Sequence, residues 1–330
     1  ALENYEMVRK HSYVIGYFVW TATDNIGEAG VGAPLLKEIA GESKQTPLNI
    51  PGSAASGPKG PPAANAPGPR KGMPEPGFFR RDTWPVFNNY QGDIDLIGNR
   101  KVPSYYQFVV WGKSKVEMFV HRPIPEGKKE VTSPWGFPDE LKSWNWSGHE
   151  GEKFQVHVYT HSQQVKLELN GKIVGEQNLD PGKFITAKFE IPYEPGTLIA
   201  HCFDNGKESA SQILETTGKA SAIRLVADRT HIKADRNDLS YVRAEIIDSK
   251  GNIVPDADDI TVNFEVTGHG MVAGVGSGNP GDMSSFQQPK KKAYQGICLA
   301  IIRPEKIPGK ISVRATAEGL REASLTIAAK

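Results

Sequence analysis

The chain has 330 residues, of which 39 are Lys or Arg and 38 are Asp or Glu, so its formal charge is +1. This length is typical of two or three domains, each large enough to bury a core. The balanced charge gives no electrostatic reason to expect nucleic acid or an anionic membrane as a partner, and no apolar run is long enough to span a bilayer.

The N-terminal residues predict a helix followed by a buried strand. Leu2, Tyr5 and Val8 recur every three residues, which is the spacing of an amphipathic helix. The apolar run 15–20 predicts a strand buried on both faces of a parallel sheet, and polar residues follow it. A strand that ends in a large aromatic residue and then a polar loop is typical of the active-site face of a (β/α)8 barrel.

Residues 41–77 form a stretch rich in Pro and Gly with few large apolar side chains. Such a segment buries too little surface to offset its ordering entropy, which favours a flexible insertion. The alternative is a lid over a ligand site, as long barrel loops sometimes are. The insertion is the preferred interpretation because aromatic and apolar anchors are scarce.

The segment that ends near residue 113 predicts a second helix. Pro103 suits its first turn and Gly112 follows its end. Tyr105, Tyr106, Val109 and Val110 supply its apolar face. This helix ends a first segment of the chain, residues 1–113, for which the family resemblance given below implies the C-terminal part of a barrel.

Residues 114–144 are predicted to be a linker that contains a short strand at 116–120. Three of the six tryptophans fall between Trp135 and Trp146. Their preferred interpretation is aromatic packing at a domain junction, because buried aromatic residues are more often packing than ligand contacts. The alternative is a platform on which sugar rings stack.

The rest of the chain predicts two antiparallel β-sandwiches, at 145–216 and 217–330. In the first, Asn170-Gly171 and Asn205-Gly206 separate apolar runs, which is the strongest short hairpin signal. In the second, strands and turns follow the spacing of an immunoglobulin-like domain. Lys290-Lys291-Lys292 is interpreted as a solvated turn. The predicted strands are 154–159, 165–169, 184–191, 198–203, 222–227, 241–247, 260–266, 271–275, 296–302, 311–315 and 323–328.

The cysteines, the absence of a cofactor motif and the N-terminal residues lead to three further expectations. Cys202 and Cys298 lie in separate β segments, so no disulfide is expected between them. No cofactor or metal signature is present, and we expect neither. The sequence has no initiating Met and no signal peptide, so we expect the natural N-terminus to lie upstream.

Two blocks of sequence resemble glycoside hydrolase family 2, in its bacterial β-galactosidase branch. Residues 16–20 with Asp24 and 27–30 resemble the last strand of the family's barrel and the loop after it. Residues 92–101, 103–106 and 110–112 resemble the segment that leads into the closing helix. The resemblance implies a mostly β fold: the C-terminal part of a TIM barrel followed by two immunoglobulin-like sandwiches.

The resemblance also implies a chemistry. Family members are retaining enzymes whose two glutamates lie ~5 Å apart, one protonating the leaving oxygen and the other forming a glycosyl-enzyme. Those glutamates belong to earlier barrel strands, so we assign no catalytic residue here and expect this chain alone to be inactive. Glu28 is the tempting substitute, but a loop carboxylate that caps or pairs with Arg is the preferred interpretation.

Four residues are candidates for substrate binding. The resemblance places Trp20 at the floor of the terminal sugar subsite, where an indole packs against a sugar face; it could instead cap the barrel core. Asp24, Asp93 and Asp95 are weaker candidates that could bind sugar hydroxyls or structure their loops.

The function implied is hydrolysis of terminal β-galactosides in a longer enzyme, with carbohydrate as the partner and a homo-oligomer as a possible assembly. In the family's β-glucuronidases an Asn-x-Lys motif grips the substrate carboxylate, and 99–101 imitates it from a position downstream of that motif. Galactoside is therefore preferred to glucuronide or to another exo-glycosidase substrate. A non-catalytic carbohydrate-binding or adhesion module is the alternative of another class. A periplasmic or extracellular location is suspected for the longer enzyme.

Overall fold

The structure is a computed structural model, and it describes residues 1–27, 30–39, 86–132, 136–180, 182 and 184–330. In this part of the chain no helix has the length and apolar character needed to cross a membrane. The helices are α1 (Leu2–Lys10) and α2 (Val102–Val110). The strands are β1 (Leu35–Glu38), β2 (Val116–His121), β3 (Lys128–Val131), β4 (Glu140–Leu141), β5 (Lys153–Thr160), β6 (Gln164–Leu169), β7 (Lys172–Asn178), β8 (Thr186–Pro192), β9 (Thr197–Asp204), β10 (Lys207–Glu215), β11 (Ala222–Ala227), β12 (His231–Ile232), β13 (Ser240–Ile247), β14 (Thr261–Gly268), β15 (Gly270–Gly276), β16 (Lys290–Lys292), β17 (Ile297–Pro304), β18 (Gly309–Thr316) and β19 (Ala323–Ala329).

The first sandwich packs sheet β4-β2-β5-β8 on sheet β10-β9-β6-β7. Apolar residues on the inner faces of both sheets point toward one core, which includes Met118, Val156 and Leu167. The Asn170-Gly171 and Asn205-Gly206 turns both have positive φ at each residue, and they connect β6 to β7 and β9 to β10 as predicted. The sequence analysis missed β7 and β10, because β7 is an edge strand with few buried side chains and β10 alternates weakly.

The prediction of 114–144 as a linker outside the sandwich does not hold for β2 and β4, which belong to a sheet of the first sandwich. β2 is buried along its whole length and pairs antiparallel with β5, from Val116 opposite Thr160 to Val120 opposite Val156. β4 pairs with the other edge of β2. All six residues of β2 are buried because the strand lies between a sheet partner and a packed neighbour. Its sequence therefore lacks the alternation that would identify it as a sandwich strand.

The aromatic residues near 135–146 pack rather than face a ligand. Trp144 and Trp146 are buried in the core of the first sandwich, where their rings contact Phe154. The indole N–H of Trp144 donates to the Glu194 carbonyl oxygen at 2.9 Å. The packing interpretation is therefore correct for these two residues, although the core is that of a sandwich. Trp135 lies outside the described residues.

The second sandwich packs sheet β11-β13-β17-β15 on sheet β12-β19-β18-β14-β16. All seven strands predicted here are present, and their buried residues share one core. The predicted fold class, mostly β with two antiparallel sandwiches, is thus confirmed. Cys202 and Cys298 are free, buried thiols in the two separate cores, as expected.

Lys290-Lys291-Lys292 is an edge strand, so its prediction as a solvated turn is wrong. The Lys291 side chain is only 1% exposed, and its ammonium lies 3.0 Å from an Asp282 carboxylate oxygen. It also donates to Ser284 and lies over the Phe286 ring. A lysine can be buried when a carboxylate and hydrogen-bond acceptors compensate its charge, which a run of three lysines does not reveal in sequence.

The predicted buried strand at 15–20 is not a strand in this structure. No described residue pairs with it, and Ile15 and Phe18 are fully exposed. An isolated strand leaves its backbone groups without partners, which explains the irregular conformation. Tyr17 does anchor the segment, since its hydroxyl donates to Gln107 of α2 at 2.5 Å and its ring packs against Trp111.

Both predicted helices are present. α1 has no fully buried residue, and Leu2 and Tyr5 pack at the edge of a small cluster that joins α2 to the first sandwich. α2 carries Pro103 in its first turn and buries Val109 and Val110 against that sandwich. The strand β1 pairs antiparallel with β3. The predicted insertion at 41–77 lies outside the described residues.

Candidate functional site

The loop that precedes α2 is tied to the residues that follow the apolar N-terminal run. The Asp24 amide donates to the Ile94 carbonyl at 2.8 Å, and the Ile94 amide donates to the Ala22 carbonyl at 3.0 Å. The Lys101 amide then donates to the Asp93 carbonyl at 2.9 Å. Two segments about 70 residues apart thereby form one backbone unit, which brings Asp24, Asp93 and Asp95 together.

An ion pair lies at the centre of this unit. The Asp24 side chain is fully buried, and both its carboxylate oxygens accept from the Lys101 ammonium, at 2.7 and 2.9 Å. The same ammonium donates to the Tyr90 carbonyl at 2.8 Å and lies 3.6 Å from the centre of the Tyr90 ring. All the hydrogen-bonding capacity of the Lys101 ammonium is therefore used inside the chain.

Gly92 makes the close approach possible. Its amide donates to the Asp24 carboxylate at 2.9 Å. A Cβ at this position would lie 2.3 Å from the Asp24 amide nitrogen, which no side chain tolerates. Glycine is required here because two backbone segments touch.

Burial controls the protonation of this group of residues. It raises the pKa of Asp24 to about 6, while the Lys101 ammonium and the Gly92 amide act in the opposite direction. Burial lowers the pKa of Lys101, again opposed by Asp24. Burial also raises the pKa of Asp93, against Lys101 and Arg100. The low-dielectric setting makes each partner costly to remove.

Asp95 shapes its own loop. Its carboxylate accepts from the amides of Ile97 and Asn99, at 3.0 and 2.8 Å, and from the Asn99 side chain at 3.1 Å. A Cβ on Gly278 would lie 2.2 Å from the same carboxylate, so the second sandwich packs directly against it. Of the two roles weighed for Asp95, these contacts support loop structuring.

Trp20 does not join the three aspartates. Its side chain is 81% exposed, and the peptide bond to Thr21 is cis. The indole is therefore accessible on the surface, as are the apolar side chains of Ile15 and Phe18. Glu28, the other loop carboxylate considered, lies outside the described residues. No group of three His, Cys, Asp or Glu is placed to hold a metal in the described ranges.

Comparisons with known proteins agree with this architecture. Residues 223–326 match the family model described as glycoside hydrolase family 2 C-terminal domain 5. Residues 151–210 match a model described as a domain of unknown function. A β-galactosidase from Bacteroides ovatus is 31% identical over 330 residues, which cover 99% of this chain and 30% of the relative. A solved glycosyl hydrolase family 2 member from Bacteroides cellulosilyticus is 34% identical with a TM-score of 0.79, over 100% of this chain and 38% of that one.

The chain belongs to glycoside hydrolase family 2. It spans about a third of the length of these family 2 relatives. A second kind of relative is a β-glucuronidase from Formosa agariphila, 26% identical over 187 residues, which cover 56% of this chain and 19% of the relative. A β-galactosidase and a β-glucuronidase thus both occur among the proteins that it resembles.

The sequence analysis missed the structural partners of the aspartates. It considered Lys101 only as part of 99–101, the triplet that imitates a carboxylate-gripping motif, whereas the structure pairs Lys101 with Asp24. Neither Gly92 nor Tyr90 was singled out. The signal was present in Gly92, since a glycine inside an otherwise ordered segment often marks a close backbone approach.

Proposed function

We propose that this chain is the C-terminal part of a retaining, exo-acting family 2 glycoside hydrolase that removes terminal β-galactose. The observation that carries the proposal is the similarity to the Bacteroides ovatus β-galactosidase along nearly the whole chain. In this proposal the segment 15–20 becomes the last strand of a barrel in the longer enzyme. The full exposure of Ile15 and Phe18 supports that role, because burying such side chains is worth about 1.5–3 kcal/mol each.

The ion pair of Lys101 favours a galactoside over a glucuronide. A lysine that grips a uronate must present an ammonium without an internal carboxylate partner. Lys101 is only 11% exposed and bonds to Asp24 and to the Tyr90 carbonyl. The Asn99 side chain is likewise engaged, by Asp95. In this proposal the triplet 99–101 therefore stabilises the loop and does not bind the substrate.

A β-glucuronidase is the second candidate, because glucuronidases are among the family 2 relatives. The two candidates differ in one measurable preference. We expect the longer enzyme to hydrolyse p-nitrophenyl β-galactoside with a kcat/KM at least tenfold above that for p-nitrophenyl β-glucuronide. The reverse order would replace the galactosidase by the glucuronidase.

The chain by itself is proposed to be inactive, because the two glutamates of the family mechanism are assigned to earlier barrel strands. Incubation of the purified 330-residue chain with p-nitrophenyl β-galactoside should release no more nitrophenol than buffer does. Turnover that persists after repurification would contradict this assignment. The homo-oligomer and the periplasmic or extracellular location also stay proposals for the longer enzyme.

A further inference from the structure

A cleft of about 600 Å³ lies where the α2 loop meets both sandwiches. One wall comes from the loop and the first turn of α2, a second from 137–143 of the first sandwich, and a third from β13 and the loop before β17 of the second. Ligand sites in proteins have volumes of about 300–1,000 Å³ and often lie between domains. The size and position therefore suit a bound small molecule.

Most of the charged side chains on the walls of this cleft have an ion-pair partner. Three basic side chains each have a carboxylate partner, and the distances join a side-chain nitrogen to a carboxylate oxygen. The pairs are Lys101 with Asp24 at 2.7 Å, Lys142 with Glu117 at 2.8 Å, and Arg243 with Glu245 at 3.1 Å. On the acidic side, Asp139 pairs with Arg122. The carboxylate of Glu140 is fully buried, where it accepts from the Tyr159 hydroxyl and contacts His157 instead of a Lys or Arg. Wall charges that are compensated within the chain attract a charged ligand only weakly.

Two charged wall residues lack an opposite charge within 4 Å among the described residues, and they have opposite signs. Arg100 stacks on Phe108 and donates to Ser104 at 2.9 Å. Asp95 is held by the amides of its own loop. Their two charges offset each other.

Two neutral groups on the walls are also free to bind a ligand. The side-chain amides of Gln91 and Gln295 line opposite walls and form no hydrogen bond with any described residue. Each amide can donate and accept, which matches the hydroxyl groups of a sugar. Phe137 adds an aromatic side chain to the lining, and aromatic faces can cover the apolar face of a sugar ring.

We propose that this cleft binds a neutral oligosaccharide through Gln91, Gln295 and Phe137. The choice of saccharide as the ligand class rests on the proposed function. The binding itself does not, because every residue named belongs to this chain and no hydrolysis is involved. The cleft thus gives the chain a saccharide contact that is independent of catalytic glutamates.

Isothermal titration of the purified chain tests the proposal. The probes are four neutral trisaccharides (β-1,4-galactotriose, mannotriose, cellotriose and xylotriose) and the acidic trigalacturonic acid. We expect at least one neutral trisaccharide to bind more tightly than the acid. We also expect its Kd to change less than twofold between 50 and 500 mM NaCl, since a neutral ligand gains nothing from screened charges.

Substitutions locate the binding. Gln91→Ala and Gln295→Ala should each raise the Kd at least threefold, and the double variant at least tenfold. Gln295→Trp should abolish binding by filling the cleft. Gln287→Ala, on an exposed loop of the same sandwich, is the matched control and should leave the Kd unchanged. An unchanged melting temperature shows that each variant is folded.

Three results would overturn the proposal. They are no binding of any neutral trisaccharide, binding that Gln91→Ala and Gln295→Ala leave unchanged, and tighter binding of trigalacturonic acid. Should Gln295→Trp not fold, the two alanine variants still decide the outcome. Failure of galactoside hydrolysis by the longer enzyme would remove the proposed function and leave this binding result intact.

Discussion

Removal of the Lys101 ammonium by Lys101→Met should release the loop that precedes α2. The substitution keeps much of the apolar stem and deletes both bonds to Asp24. The Asp24 carboxylate then stays fully buried with the Gly92 amide as its remaining hydrogen-bond donor among the described residues. A buried charge without its partner is a costly state.

The size of the effect follows from burial. Breaking a buried pair by removing one partner costs about 3–5 kcal/mol, and 1.36 kcal/mol corresponds to a factor of ten. The local opening equilibrium should therefore rise at least about 100-fold. The loss should be smaller at pH 5 than at pH 8. Burial already raises the pKa of Asp24 to about 6, and without Lys101 the carboxyl is protonated more readily, which removes the uncompensated charge.

Hydrogen exchange measures this opening directly. The amides of Asp24, Ile94 and Lys101 bond within the unit, so their exchange should accelerate in Lys101→Met. Asp24→Asn/Lys101→Met should recover most of the protection, because the Asn oxygen can still accept from Gly92 and no charge is buried. The control is Lys153→Met, which breaks the exposed pair with Glu190 and should cost at most about 1 kcal/mol. Exchange in Lys101→Met within threefold of the wild type would refute the reasoning.

Four further outcomes are expected. Gly92→Ala should deprotect the Asp24 amide in hydrogen exchange, whereas Gly16→Ala, with nothing within 4 Å of its Cβ, should not; equal protection in both would contradict the close contact. The His121–Glu130 pair should stabilise β3 most between about pH 4.5 and 6.5, as measured by hydrogen exchange of the amides at 128–131. The pKa of His121 is raised from 6.5 and that of Glu130 is lowered from 4.5, so the contribution of the pair falls both above and below this range. A monotonic pH profile would exclude the pair as the cause. Native chain should not react with Ellman's reagent at pH 8, since burial raises the pKa of Cys202 to about 11 and of Cys298 to about 12, and unfolding should expose two thiols; fast reaction of the native chain would disprove their burial. Amides at 154–159 and 241–247 should exchange slowly and those at 15–20 fast, and uniform protection would mean that 15–20 has found a packing partner.

Short-range patterns in the sequence were sufficient for most of the sandwiches. The two Asn-Gly turns fix local register, and alternating apolar residues in 165–169 and 241–247 identify buried faces. Strands without alternating apolar and polar residues were harder to assign to a sandwich. β2 was predicted as a strand at 116–120 but not as part of the sandwich, and β16 is three lysines. Their places in the sheets depend on neighbours far away in sequence. Lys291 in particular can be buried because Asp282 compensates its charge, and that pairing depends on the tertiary structure.

The candidate site was only partly predictable for the same reason. The two blocks that resemble the family contained Asp24, Asp93 and Asp95, and the structure does bring these segments together. The lysine that neutralises Asp24 lies 77 positions away, and no local pattern connects them. The strand predicted at 15–20 requires partners that are absent from the described residues.

The role of Trp20 is tested most directly by the kinetics of Trp20→Ala in the longer enzyme. If its exposed indole stacks on the terminal galactose, the variant should lose at least tenfold in kcat/KM for p-nitrophenyl β-galactoside, about 1.4 kcal/mol of transition-state binding. Ile173→Ala, an exposed side chain on the first sandwich, should leave kcat/KM unchanged. An unchanged kcat/KM in a folded Trp20→Ala enzyme would contradict the placement of Trp20 at the terminal sugar subsite.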